Sequence, residues 1–279
     1  MGENNHRCTA QGCPNKPLSG KDVCWLHLDE REVFRSKLGA KKDLSGMNLA
    51  YTDLSGLMLN GRDLSGADLS GANLSGTDLS NSNLAGANMR RTMLSASNLS
   101  GADLTGVVLI GVRAEGVDLT NAKLVNVEGS HAGMPLSRLN GTLIENSFFE
   151  FADFSGVELE GAKIIDSVLG GILAGEAILN KVTAERSSFV GADLTGTDLR
   201  NATFKTCSLV RAQMAGADLR ECSFEGSNLS FADLTGTDMR GTRVEGSILD
   251  FADLIGADVE LVGSPLSAER AGIEGDADE

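Results

Sequence analysis

The chain has 279 residues, is 41% hydrophobic but only 4% aromatic, and carries a formal net charge of −15. So acidic a chain excludes free nucleic acid and anionic membrane as general partners, because both require basic surfaces, and it favours basic proteins. No stretch approaches the roughly 18 apolar residues of a membrane-spanning helix, and no apolar leader follows Met1, so the reading is a cytoplasmic protein.

Residues 1–28 hold Cys8, Cys13, Cys24 and His27 in the spacing C-x4-C-x10-C-x2-H. Three thiolates and an imidazole match a tetrahedral structural zinc site. A segment this short has no room for a core, so a metal would supply its folding energy. It is similar to small treble-clef or zinc-knuckle caps, although C-x2-C is the commoner start. A disulfide or free thiols in a disordered arm are the competing readings, and His6 is a rival imidazole.

Residues 29–42 read as one short capping helix. Asp29 is the candidate N-cap, with Glu32 three residues on completing a capping box. Phe34 and Leu38 share a face, and Gly39 marks the stop. The atypical Met47, Leu57 and Arg62 just downstream stand where such a helix would touch the repeats.

From 43 to 261 the chain repeats every five residues, as in DLSGADLSGANLSGTDLS from Asp63 to Ser80. Of the 44 positions ending in 4 or 9 between Leu44 and Val259, 40 are Leu, Met, Phe, Ile or Val; the exceptions are Ala114, Gly129, Ala174 and Ala184. Two residues before each stands a small residue in 39 of 44 cases. A disordered tract needs no such ladder. A period of five fits neither helix nor flat strand. It fits a chain that turns a corner every five residues, so that four sides close a square coil of 20, and coils stack at about 4.8 Å. Cys207 and Cys222 both fall at small inward positions and read as buried core.

The units ADLSG, ANLSG and TDLRN resemble the pentapeptide-repeat family. The resemblance implies an all-β solenoid, a right-handed quadrilateral parallel β-helix; its 44 units make about 11 coils, which the helix and the small metal-binding segment would cap. It implies a surface and not an activity, and the sequence shows no nucleophile–base pair or phosphate loop, so no enzyme is expected.

Residues 20 apart stack on one face. One outward column contains the acids Asp78, Asp118, Glu158, Asp198, Asp218, Asp238 and Asp258. A short polar residue before each centre can bond its own backbone, which is one account of this column; a partner-binding edge is the other. Tyr51, Phe151, Phe231 and Phe251 share one corner, either buttressing it or touching a partner. Outward positions of the middle coils hold Val108, Ile110, Leu143, Phe148, Ile165, Val168, Leu173 and Ile178, candidates for a bound face.

The acidic stretch 262–279 is expected to add a thin lid through Leu261, Val262 and Leu266, leaving the last coil open for a homodimer. Two functions are then open. One is a protein-interaction scaffold. The other, implied by resemblance to quinolone-resistance members of the family, is an acidic DNA mimic that binds DNA gyrase or topoisomerase IV and protects it from inhibitors.

Overall fold

The computed structural model describes residues 7–11, 13–269 and 271. His6 lies outside the described residues. The rod is a parallel β-solenoid. Bridges join residues 20 apart in one unbroken direction, from Asp43↔Asp63 to Asp238↔Asp258. Four faces follow in chain order. Their outward columns begin at Asp43 (first face), Asn48 (second), Asp53 (third) and Met58 (fourth).

Continuous strands are fewer than the 11 coils that the period predicts. Seven short segments qualify, and single bridges carry the same step elsewhere. The reason is the corner itself. In an ordinary unit the small residue's N–H returns to the centre carbonyl three residues back, as Ala67 does to Leu64 at 3.0 Å. That turn leaves only one residue per side free to pair as a strand.

The first face is the exception. Strands β1 (Lys123–Val125), β2 (Leu143–Glu145), β3 (Lys163–Ile165), β4 (Thr183–Glu185) and β5 (Thr203–Lys205) form one parallel sheet there. Their following turns lack the return bond, and inward hydroxyls from the next coil take its place. Val127 N–H donates to Ser147 Oγ at 2.9 Å, Ser147 N–H to Ser167 Oγ at 3.1 Å and Ser167 N–H to Ser187 Oγ at 3.1 Å. Ser187 N–H points to the Cys207 sulfur, and Cys207 N–H donates to Ser227 Oγ at 2.9 Å. A buried Ser/Cys ladder thus satisfies backbone groups that a missing turn bond would orphan. Burial pushes the Cys207 thiol up to about 11 and raises that of Cys222 as well. Both stand inside the rod as free thiols.

The centre residues fill the coil interior, and nearly all are fully buried. Each Leu so placed contributes about 1.5–3 kcal/mol. Three of the four exceptions have a phenylalanine in their own column, one coil away. Gly129 faces Phe149, Ala174 faces Phe154, and Ala184 pairs with Phe204. Volume removed in one coil is refilled from the next.

At the N-terminal end, α1 spans Arg31–Ala40. It starts later than the capping box predicts. Glu30 is the N-cap, it makes no side-chain capping bond, and Asp29 takes no such part. Phe34 and Leu38 are buried as expected, because the helix is held by the coil beneath it and not by its cap. Arg62 donates to the Gly39 carbonyl at 3.3 Å, Arg35 donates to Ser55 O, and Met47 and Leu57 pack into the same core.

At the other end, pairing runs past residue 261. β6 (Thr242–Arg243) pairs with β7 (Leu261–Val262), and Leu249 N–H and Phe251 N–H reach Ser267 O and Glu269 O. Leu266 remains exposed. Among the described residues no helix is long and apolar enough to cross a membrane.

Candidate functional sites: a Cys3His cluster and the faces of the rod

The N-terminal segment folds around the predicted ligands. A 3-10 turn, Trp25–His27, follows Cys24 and brings His27 back over it. Cys8 Sγ and Cys24 Sγ each lie 3.4 Å from His27 Nδ1, and Cys13 Sγ lies 3.8 Å from Cys24 Sγ. All four donor atoms fall within 4.8 Å of one another. Zn–S and Zn–N bonds of tetrahedral geometry require S···S and S···N edges of about 3.8 and 3.6 Å. The residues therefore fit a metal. The Cys24 backbone amide, directed at Cys8, lowers that thiol to about 6, toward the thiolate a metal needs. At Cys13 the Asn15 amide is outweighed by desolvation and the neighbouring Cys24 and Cys8 sulfurs, which raise that thiol. Asn15 Nδ2 donates to Cys24 Sγ at 3.9 Å.

The segment is joined to the rod. Leu18 is buried, Ser19 N–H donates to Asn48 O at 3.2 Å, Asn48 N–H donates to Ser19 Oγ at 2.7 Å, and Asn48 Nδ2 donates to Pro17 O at 2.6 Å. It thereby covers the open edge of the first coil.

The acidic residues of the column from Asp78 to Asp258 share the fourth face, and the last of them are bound to arginines. Arg200 grips Asp198 at 2.7 Å and reaches Asp218 at 3.6 Å. Arg220 repeats this between Asp218 (2.5 Å) and Asp238 (3.5 Å), and Arg240 between Asp238 (2.5 Å) and Asp258 (3.4 Å). The Arg240 guanidinium brings the Asp238 carboxyl down to about 2, and Arg200 and Arg220 lower Asp198 and Asp218. Farther up, Asp118 pairs with Arg138 at 2.8 Å, Glu158 accepts from Asn140, and Asp78 accepts the Ser80 N–H.

The local role of the Asp/Asn position is visible throughout. Asp63, Asp68 and Asn73 each accept the N–H two residues on. Asn has a second use. Asn73, Asn83 and Asn88 donate to Asp53, Asp63 and Asp68 one coil away, at 3.1–3.2 Å. Carboxylates stacked at strand spacing repel, and an amide between them relieves this. In the run from Asp198 to Asp258, where Asp stacks on Asp, arginines do the same work.

The aromatic edge is exposed and locally stacked. His131 lies on Phe151 with centroids 5.5 Å apart, Phe231 on Phe251 at 5.0 Å, and the Arg211 guanidinium over Phe231 at 5.8 Å. Tyr51 instead lies flat on Gly71, where an added Cβ would come within 2.7 Å of its ring.

The apolar outward residues separate by face. Leu143 and Ile165 belong to the first, Leu173 to the third and Ile178 to the fourth. Val108, Ile110, Phe148 and Val168 share the second, which also carries the aromatic edge. Sequence reading missed Val190 and Val210, which continue this strip toward the C-terminus; Val190 is 41% exposed. They occupy the position after the centre, and reading that column at steps of 20 would have found them.

Stacked square coils with a capped end define a β-solenoid, an architecture that presents extended faces to solvent. The model of the pentapeptide repeats matches in 8 copies, over residues 63–101, 90–126, 176–205, 187–226, 207–246 and 227–262. The chain belongs to the pentapeptide-repeat family. A comparison with curated proteins gives no match. Among solved structures it is similar to HetL, a pentapeptide repeat protein involved in heterocyst differentiation regulation from the cyanobacterium Nostoc sp. strain PCC 7120, at 28% identity over 87% of this chain and 94% of that one, with a TM-score of 0.32. It is similar to a thylakoid-lumen pentapeptide repeat protein of Arabidopsis thaliana at 26% identity over 32% of this chain and 57% of that one, with a TM-score of 0.27. It is also similar to QnrB1, a plasmid-mediated fluoroquinolone resistance protein, at 18% identity over 79% and 91% of the two chains, with a TM-score of 0.36.

Proposed function

We propose that the protein is a non-enzymatic interaction scaffold whose second face binds a protein partner. The observation that carries this reading is the apolar strip Phe148, Val168, Val190 and Val210 on the second face, where Phe148 and Val190 are exposed, Val168 and Val210 are half-buried, and the exposed Phe151 and Phe231 form the edge. Contiguous exposed apolar surface rimmed by polar residues marks protein contact. The Cys3His cluster holds one Zn2+ through Cys8, Cys13, Cys24 and His27. The metal supplies folding energy to a segment too small for a core of its own. Exposed Ile255, Val262 and Leu266 support a homodimer through the C-terminal coil.

The alternative reading, a DNA mimic acting on DNA gyrase or topoisomerase IV, rests on free charge along the fourth face. Arg200, Arg220 and Arg240 neutralise much of that charge. The scaffold reading has the stronger support. Its test is affinity capture with the full chain beside F148S/V168S/V190S, with circular dichroism to check both folds. A partner retained in moderate salt by the wild type and lost from the variant supports it. Equal capture by both removes the second face from the account.

A further inference from the structure

Among the described residues of the rod, most arginines are engaged. Arg138, Arg186, Arg200, Arg220, Arg240 and Arg243 are ion-paired with carboxylates. Arg31, Arg35 and Arg62 donate to backbone carbonyls, and Arg211 lies on a phenylalanine ring. Three in the rod are exceptions. The side chains of Arg90, Arg91 and Arg113 form no ion pair or hydrogen bond among the described residues, and all three are exposed.

They also stand together. Arg90 and Arg91 are consecutive at the corner between the second and third faces. Gly111 stacks on Arg91 one coil on, and Arg113 follows two residues later. The Arg91 stem lies against Gly111, its Cγ 3.6 Å from where a Cβ would stand, so the missing side chain leaves room for the stem. Two shallow grooves meet at Arg91. One, of about 380 Å³, is lined by Tyr51, Gly71, Arg90, Arg91 and Ile110 among others. The other, of about 330 Å³, is lined by Arg91, Met93, Gly111 and Arg113. The carboxylates nearest in sequence and column, Asp68, Glu115, Glu128 and Asp153, pair with none of them among the described residues.

Three unpaired guanidiniums repel one another and present forked donors suited to carboxylate oxygens. A chain of net charge −15 whose other described rod arginines are paired, hydrogen-bonded or stacked, but which leaves these three free, has a basic island two coils long. Its length selects the ligand. A nucleic-acid backbone carries charge every few ångströms and would run from the island onto acidic columns. An anionic membrane would meet the same columns. A short acidic peptide would end where the arginines end. Tyr51, Ile110 and Met93 beside the arginines offer apolar contact to a large side chain within such a peptide.

We propose that Arg90, Arg91 and Arg113, with the Tyr51 ring, form a docking site for a short acidic segment of a partner protein. This site rests on the protein-binding reading of the rod but not on the second-face strip.

The test is fluorescence anisotropy of the full chain with a dye-labelled ten-residue peptide of glutamates around one phenylalanine. Saturable binding that weakens with salt is expected for the wild type, and R90S/R91S/R113S weakens it about tenfold or more. K163S, which removes a cation elsewhere, and F148S/V168S/V190S both bind as the wild type does. Loss in the latter would mean that the peptide reads the apolar strip and would overturn the site. The single variants R90S, R91S and R113S guard against misfolding of the triple, and each weakens binding in part. No binding by the wild type at about 1 mM peptide overturns the proposal, as does binding unchanged in every arginine variant. Tighter binding of a ten-nucleotide single strand or of phosphatidylserine vesicles assigns the island to another class of anion and overturns it. Self-association that competes with the peptide and depends on residues 272–279 makes a second copy the occupant and overturns it too.

Discussion

Gly129 and Phe149 occupy the same column in successive coils, and a Cβ on Gly129 would come within 2.2 Å of the Phe149 ring. The gap in the large-residue ladder is therefore filled by its neighbour. Gly129→Ala forces the buried ring or the coil to shift and costs about 1–3 kcal/mol. Urea unfolding measures it. Phe149→Leu in the same chain makes room for the methyl group, so the double variant is more stable than the sum of the singles. Strict additivity would show that the two positions do not share one space.

The Asp–Arg alternation on the fourth face sets an acid limit. Asp198, Asp218 and Asp238 have carboxyls held below the usual range by their arginines, Asp238 at about 2. A lowered folded pKa contributes stability above the unfolded value of about 4, and that stability is lost as pH falls toward 2. Protection of amides in the last coils, measured against their intrinsic exchange rates, should fall across that window. R200S/R220S/R240S should flatten the dependence there while leaving the first coils unchanged.

Metal removal tests the cap. The purified chain should contain about one zinc per molecule, and Cys13→Ser or His27→Ala should lower that content. Chelation should loosen residues 7–28 and expose the edge around Asn48, while exchange protection of the middle coils persists. A metal-free chain with the same protection at Leu18 and Asn48 would mean that the segment folds by its coil contacts alone.

Gyrase supercoiling separates the two functional readings. The scaffold account predicts no inhibition at micromolar protein. Inhibition that rises with protein and disappears on charge reversal at Asp198, Asp218 and Asp238 would favour the DNA mimic.

Most of the fold was legible because each five-residue unit states it separately. Leu64, Leu69, Leu74 and Leu79 each fill a side of one coil, and the register survives Gly129, Ala174 and Ala184 because a neighbour compensates. The Cys3His cluster was legible for a similar reason, since three thiols and an imidazole in a short segment have few other uses. The arginine bracing was not legible in the column before the centre, because Arg200, Arg220 and Arg240 stand two residues after each Asp. The inner Ser147–Ser167–Ser187–Cys207–Ser227 ladder was hidden as well. A small residue inside a coil looks the same whether it packs or accepts a backbone N–H. The late start of α1 reflects a helix seated by tertiary contact, where a capping sequence carries little weight.

Photo-crosslinking from defined faces tests the central claim most directly. A photoreactive amino acid is placed at Val190 on the second face and, in separate proteins, at Lys163 on the first, Gln213 on the third and Asn180 on the fourth. The account predicts one protein partner joined from Val190 and none from the other three. A partner joined equally from all four positions, or only from Asn180 on the face of the acidic column, would contradict it.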